Sequence, residues 1–306
     1  MSPFLCVYGH ICLDQIVSLE KLPEPNTSIN ITEIKRYFGG TGSNLAAISS
    51  SLGVPTALCA YVGSDFPREF RSFLESKKID MSDVEVMDDY ESPTVMVVSD
   101  KKQNQIAYVY QGPMKDMERF PVKLNSAKNS EMIHFGTGSP VYYLKAMHAL
   151  DGSKRIALDP AQEIHNVWNA EKFNEALPYA GTFFCNENEL KTALRYTELK
   201  TAEDLLDIVD MIVNTRGSEG TVIYTKKETI RIPAVKTKVI DPTGAGDAFR
   251  GGFYAGIYRK KSLEESAACG NAAASFILQS NGAVSNIPSW DAVEKKSAEI
   301  LDLMKR

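Results

Sequence analysis

The sequence predicts an α/β fold, with a mostly parallel sheet covered by helices on both faces, and three patterns predict it. The apolar run over residues 4–8, F-L-C-V-Y, closes at Gly9 and reads as a strand buried on both sides. The middle of the chain alternates short apolar strands at 132–135, 156–158 and 182–185 with helical stretches at 142–149 and 173–177, as βαβ units do. Further on, a short strand at 238–240 leads through D-P-T-G-A-G-D into a helix over 248–258, where Phe249, Phe253 and Ile257 recur at helical spacing. At 306 residues the chain is long enough to bury a substantial core.

Taken in order, the first chemical group is Asp14, in G-H-I-C-L-D. It lies just beyond the end of a buried strand, where open α/β sheets bind ligands, and its carboxylate can accept from two vicinal hydroxyls. His10, in the same loop, reads first as a satisfied structural residue. Extended pieces at 16–19 and 29–34 flank P-E-P-N-T, and a second pair at 94–99 and 105–111 forms a hairpin around the polar loop 100–104. Tyr108 and Tyr110 alternate on one face of that hairpin, either to stack on a flat ring or to pack within the sheet.

Between these pairs, G-G-T-G-S-N opens a helix over 39–52, and Asn44 offers both a donor and an acceptor to a hydroxylated ligand. Asp159 and Gln162 leave the end of the strand at 156–158 toward the crevice. Asn186 and Glu189 begin a helix after the strand at 182–185, in a polar first turn that the helix dipole favours. A strand at 211–213 leads into N-T-R-G-S-E-G, followed by a hairpin at 221–225 and 228–232. Ser262 and Glu265 form an S-x-x-E capping box for a helix to about residue 279. On it, Asn271, Ala272 and Ala274 suit either a flat adenine or close helix packing. An amphipathic helix at 290–304 follows.

The string at 241–252 carries the most chemistry. Gly244 and Gly246 let the backbone turn sharply, and the amides of Gly244, Ala245, Gly246 and Asp247 then lie unpaired at a helix N-terminus, where their dipoles favour an anion such as a transferring phosphoryl group. A carboxylate among those amides is out of place unless it caps the helix or takes a proton. As a general base, Asp247 would contribute roughly 100- to 10,000-fold.

Composition narrows the function classes. The 43% hydrophobic and 24% charged shares are those of a globular protein, and the net charge of −5 with a pI of 5.6 argues against a nucleic-acid partner. Five cysteines without metal-ligand spacing read as buried thiols in a reducing compartment. The N-terminal run lacks the basic n-region of a signal peptide, and no 18-residue apolar run occurs, so a cytoplasmic protein is expected. There is no Walker G-x-x-x-x-G-K-[ST], no H-R-D loop and no G-x-G-x-x-G.

The string D-P-T-G-A-G-D-A-F-R-G-G-F resembles the C-terminal signature of the ribokinase (PfkB) family of carbohydrate and nucleoside kinases. Gly39-Gly40-Thr41-Gly42-Ser43-Asn44 resembles the N-terminal signature of the same family, so the likeness spans most of the chain. The resemblance implies a single ribokinase-like domain over 1–306, a three-layer α/β/α with a mostly parallel sheet, in which segments 12–36 and 91–112 form a small β lid that excludes water from bound ATP. It implies Asp247 as catalytic base over an anion hole of Gly244, Ala245 and Gly246. Asp14, Gly40 and Asn44 become substrate contacts, joined by Asn26, Gln105 and Gln162. Asn186 and Glu189 match an N-x-x-E element that holds Mg²⁺ largely through water.

Thr215, Arg216, Gly217 and Gly220 match a T-K-G-x-x-G nucleotide element in which Arg216 replaces the usual Lys, and Asn271 is expected beside the adenine. Asp241, with Gly282 and Ser285, is expected around a monovalent cation such as K⁺. Within the family the strings look most like the archaeal broad-specificity nucleoside kinases. This implies ATP-dependent phosphorylation of a nucleoside 5′-hydroxyl and, through lid-edge pairing, a homodimer. A sugar kinase of the same fold acting on ribose, fructose or a keto-deoxy acid is the alternative, and a nonenzymatic nucleotide sensor a more distant one.

Overall fold

The computed structural model describes residues 2–102, 105–150, 152 and 154–304; residues 103 and 104 of the hairpin loop and the side chain of Gln105 lie outside the described ones. In chain order the elements begin with β1 (Leu5–Tyr8), β2 (Cys12–Leu19), β3 (Glu33–Gly39), α1 (Thr41–Ser51), β4 (Thr56–Gly63), α2 (Arg68–Ser76) and β5 (Asp80–Met87). There follow β6 (Thr94–Asp100), β7 (Gln105–Tyr110), α3 (Asn125–Asn129), β8 (Met132–Phe135), α4 (Pro140–Ala149), β9 (Arg155–Leu158) and α5 (Ala170–Ala176). The remainder is β10 (Thr182–Asn186), α6 (Glu187–Thr197), β11 (Met211–Thr215), β12 (Thr221–Thr225), β13 (Thr229–Ile232), α7 (Ala245–Tyr258), α8 (Leu263–Ile277) and α9 (Trp290–Met304).

The large sheet runs β13-β12-β11-β10-β9-β8-β1-β4-β5 and is parallel from β11 to β5, with β12 and β13 added antiparallel at one edge. This is the mostly parallel sheet that the alternating pattern predicts, in the layout that the family resemblance implies. β1 shows why it is central: Leu5 and Val7 join one apolar core and Cys6 and Tyr8 the other, because successive strand residues point to opposite faces. The first core gathers side chains of α1, α2, α7, α8 and α9, the second those of α3 to α6. Each large apolar side chain buried in them contributes about 1.5–3 kcal/mol. Both helices with an expected polar start have it: Asn186 with Glu189, and Ser262 with Glu265, form reciprocal capping boxes.

A second, four-stranded sheet has the order β3-β2-β6-β7. Its hairpin β6–β7 matches the expected one, but β3 starts at Glu33, later than the extended piece expected at 29–34. Pairing with β2 sets this register, Cys12 opposite Gly39 through Ser18 opposite Glu33, and leaves Ile29 and Ile31 exposed before the strand. The strand expected at 238–240 is absent. Pro233 ends the edge strand β13, and Val239 and Ile240 lie half exposed, with Ile240 N–H donating to the Leu278 carbonyl at 2.7 Å. β4, α2 and β5 were not anticipated; β4 is buried along its whole length between β1 and β5.

Asn271, expected beside a nucleotide, is 8% exposed and works inside the fold. Its Oδ1 accepts from the Thr221 hydroxyl at 2.8 Å, and its Nδ2 donates to the carbonyls of Ile232 and Pro233 at 3.2 and 3.0 Å, tying α8 to β12 and β13. Ala272 beside it is likewise in the core. Asn271→Ala should cost about 1–3 kcal/mol, because it strands the buried Thr221 hydroxyl and Ile232 carbonyl; thermal unfolding of the variant checks this.

Candidate active site

A cavity of about 650 Å³ opens at the C-terminal end of β1, which lies between β4 and β8, the point where successive parallel strands leave in opposite directions. The small sheet walls it with Asp14 and Ile16 from β2, Val95 and Val97 from β6, and Val109 from β7. Tyr108 is one position out of register with that face and points away, 58% exposed; Tyr110 reaches the cavity rim.

Two helices begin at its floor. α1 starts after Gly40, whose φ of 96° belongs to glycine and whose missing side chain leaves room for the His10 carbonyl and the Cys12 amide. α7 starts after Gly244, φ 78°, with no side-chain cap; any Cβ there would run into Ala283. The first bond of α7 runs from Ala248 N–H to the Gly244 carbonyl, so the amides of Gly246 and Asp247 take no backbone partner among the described residues. Gly244, Gly246 and Asp247 line the cavity, whereas Ala245 does not and its N–H turns to Pro242 O at 3.3 Å.

Asn44, on the first turn of α1, donates from Nδ2 to Asp247 Oδ2 at 2.9 Å, while its Oδ1 is buried without a partner. Burial pushes the Asp247 carboxyl up to about 7. The Asn44 bond and the Arg250 charge lower it, and Asp159 and Asp14 raise it further. Asp14 itself is raised to about 6, again first by burial. One turn along α7, Arg250 grips Asp159, with Nη2 to Oδ1 at 2.7 Å and Nε to Oδ2; His134 Nε2 lies 3.3 Å from Asp159 Oδ2 and its Nδ1 2.8 Å from the Tyr254 hydroxyl. Despite burial, which works the other way, Arg250 and His134 hold Asp159 below the usual carboxylate range.

Toward the other wall the cavity is lined by a hydrogen-bonded chain. Thr41 Oγ1 meets Thr137 Oγ1 at 2.5 Å, Thr137 meets His10 Nδ1 at 2.7 Å, and His10 Nε2 meets Gln111 Oε1 at 2.8 Å. Because Gln111 presents an oxygen, His10 carries its proton on Nε2 and accepts at Nδ1, and burial keeps it neutral by lowering its pKa to about 4. Glu163 follows. Its Oε2 accepts from Gly138 N–H at 2.6 Å, and burial raises its carboxyl to about 7 against the Gly138 and Gln111 hydrogen bonds. His10 was read as structural, and Glu163, Gln111 and Thr137 were not singled out. Their only trace in the sequence is position: His10, Thr137 and Glu163 follow β1, β8 and β9 of the large sheet within a few residues, and Gln111 follows β7 of the small one.

At the far end Asn186, Glu189, Thr215 and Gly217 line the cavity. Asn186 N–H and Nδ2 each donate to a Glu189 oxygen at 2.7 Å. Glu189 is buried and raised by that burial. No group of three metal-ligating side chains occurs among the described residues, so a cage is excluded there. One carboxylate with spare lone pairs does fit a hydrated Mg²⁺ bound chiefly by phosphates. Arg216 turns from the cavity to Glu187 at 3.0 Å and Glu219 at 3.3 Å.

Gly220 does not line the cavity; it lies against the Ile232 carbonyl and Ala234 amide, where no Cβ fits. Asn26 occupies an exposed turn outside the cavity, and Gln162 is on the cavity wall. Each oxygen of Asp241 accepts one amide, Thr243 and Gly282, both at 2.9 Å, so the carboxylate staples the loop and could give a cation only its remaining lone pairs.

Asp14, Glu163 and Asp247 are all held above their ordinary values, so above pH 6.5 the folded protein retains protons that the unfolded chain releases. The lowered His10 and His134 act in the opposite sense only below 6.5, and Asp159 and Asp241 lower still. The stability of the ligand-free protein should therefore fall as pH rises from about 6.5 through 7 to 8. Denaturant melts across that range measure it, and a rise would mean that these carboxyls are not buried.

The pfkB family carbohydrate kinase model matches residues 2–290. A nucleoside kinase of Methanocaldococcus jannaschii is 36% identical over 299 residues, 97% of each chain, and one of Methanothermobacter thermautotrophicus is 32% identical over 96% of each. The crystal structure of the M. jannaschii nucleoside kinase, described as an archaeal member of the ribokinase family, superposes with a TM-score of 0.91 at 34% identity, over 98% of this chain and all of that one. With its two glycine-opened helices and the Asn44–Asp247 pair at their meeting point, this chain belongs to the pfkB family of carbohydrate kinases.

Proposed function

We propose that this protein is a cytoplasmic nucleoside kinase that uses ATP with Mg²⁺ to phosphorylate the nucleoside 5′-hydroxyl. The observation that carries the reading is a carboxylate at a helix N-terminus with free amides, Asp247, bonded to an Asn44 whose own buried oxygen lacks a donor. A substrate hydroxyl supplies such a donor. That the two relatives above carry the name nucleoside kinase supports the choice of substrate.

Asp14 accepts from the ribose 2′- and 3′-hydroxyls, and Gly40, Asn44 and Gln162 complete that end. Asp247 takes the 5′-hydroxyl proton as the oxygen forms its bond to the γ-phosphorus and the bond to the β–γ bridging oxygen breaks. The amides of Gly246 and Asp247 take up the charge that develops on the phosphoryl oxygens. Asn186, Thr215 and Gly217 face the donor phosphates, and Arg216 would have to leave Glu187 and Glu219 to reach them. Asn186 and Glu189 would hold Mg²⁺ there largely through water, where the ion would supply further charge neutralisation, and a monovalent cation such as K⁺ would use the spare lone pairs of Asp241. The small sheet serves as a lid that keeps water from the phosphoryl group.

A carboxyl near 7 suits a general base at neutral pH, since the proton transfer is nearly balanced. Turnover should fall as pH drops below about 7, because the protonated acid cannot accept. Asp247→Asn should lose about 100- to 10,000-fold in kcat while still binding ATP. The test is ATP consumption over a panel of nucleosides, free sugars and sugar phosphates, with product identity by mass. Conversion of no nucleoside to its 5′-monophosphate would refute the substrate assignment, and wild-type turnover in the variant would remove Asp247 as base.

The lid also underlies the homodimer. Its outer strands β3 and β7 have free edges, and Ile34, Ile106, Tyr108 and Tyr110 stand exposed on them. Sedimentation should give twice the 33.8 kDa chain mass; one chain mass at working concentrations would rule the dimer out.

A further inference from the structure

The cavity contains a further carboxyl that neither proton transfer nor ribose binding uses. Glu163 is 6% exposed, yet lines the same cavity as Asp14 and Asp247. Its one ion-pair partner among the described residues is His10 Nε2 at 3.9 Å, which is neutral, so among those residues this buried carboxyl has no cation. Such a group is costly to keep unless something uses it.

The hydrogen-bonded chain fixes what it offers. With Gln111 Oε1 turned to His10, the Gln111 amide nitrogen is left to donate to Glu163, while Gly138 N–H holds Oε2. A carboxylate has about four acceptor sites. Two are taken, and since Glu163 lines the cavity the others are left for a ligand there.

We propose that Glu163, positioned by Gln111 and the Gly138 amide, reads the nucleobase edge and favours bases with a ring N–H, as in inosine and guanosine, over those with a bare ring nitrogen, as in adenosine. The inference rests on the nucleoside reading above. A carboxylate accepts from the ring N–H and repels the lone pair of a bare nitrogen. Its acid form, accessible because the group is held near 7, donates to the bare nitrogen instead, and one side chain so serves both kinds of base.

Glu163→Gln tests this. Its single oxygen must turn to the Gly138 amide, which points the NH₂ at the base. The ratio of kcat/KM for inosine to that for adenosine should fall by about 10- to 100-fold, the value of one hydrogen bond to a charged acceptor. An unchanged ratio in a variant that still phosphorylates nucleosides overturns the proposal while leaving the nucleoside reading intact. Failure of the wild type to phosphorylate any nucleoside overturns both.

A second measurement needs no variant. In the wild type the same ratio should rise from pH 6 to pH 8 as Glu163 ionises. Asp247 and Asp14 act on both substrates alike and cancel in the ratio. Of the titratable groups facing Glu163, His10 stays neutral and Tyr143 on α4 is pushed well above its ordinary value, so neither changes charge in this window. A flat ratio rejects the assignment even where the variant does not fold.

Discussion

The hydrogen bond from Asn44 to Asp247 joins residues 203 positions apart, and the candidate site depends on it. It forms only because the N-terminal turns of α1 and α7 arrive at one point on the C-terminal edge of the sheet. They pack tightly at Gly251, where an added Cβ would lie 2.6 Å from Ile48 Cγ2 and 3.3 Å from the Ser49 amide. A larger residue there would push the helices apart and carry the Asp247 carboxylate away from Asn44. The packing of one apolar core therefore decides whether acid, amide and free helix N–H groups face the same volume.

Charge balance in that volume hangs on Arg250. Asp14, Asp159 and Asp247 line one cavity, and Arg250 is the positive charge that acts on Asp247 there. Its grip on Asp159 makes a neutral pair, and His134 with Tyr254 closes the pair from behind. Breaking such a buried pair by removing one partner typically costs about 3–5 kcal/mol. The residual field of Arg250 moderates the effect of burial on Asp247, so the carboxyl comes to rest at about 7.

The parts of the fold and site that a sequence shows are those in which one short segment carries the whole signal. The buried strands β1, β8 and β10, the capping boxes at Asn186 and Ser262, and the glycine-opened turns before α1 and α7 are of this kind. What depends on pairing is not so visible. The start of β3 follows from its register with β2, and residues 238–240 have strand composition but no neighbour to bond to. Asn271 illustrates the same limit at the level of a side chain: its polarity was legible, but the three partners that consume it lie on β12, on β13 and just after β13, 38 to 50 residues away. Glu163, Thr137 and Gln111 belong to three separate connections, and only the fold brings them together.

The two ends of the cavity are built on the same division of labour. At one end Asp14 comes from the small sheet, and Asn44 with Asp247 from helices packed on the large one. At the other, Gln111 follows directly on β7 of the small sheet, and Glu163, Thr137 and His10 belong to connections on the edge of the large one. A ligand that reaches both ends must therefore touch both sheets at two separate places. A short ligand held only at Asp14 gains nothing from the Gln111 side. A longer one converts its second contact into a preference for one relative position of the two sheets, by the difference in its affinity for the alternatives. The length of the substrate, as well as its polarity, is thereby made to matter to how the small sheet lies over the site.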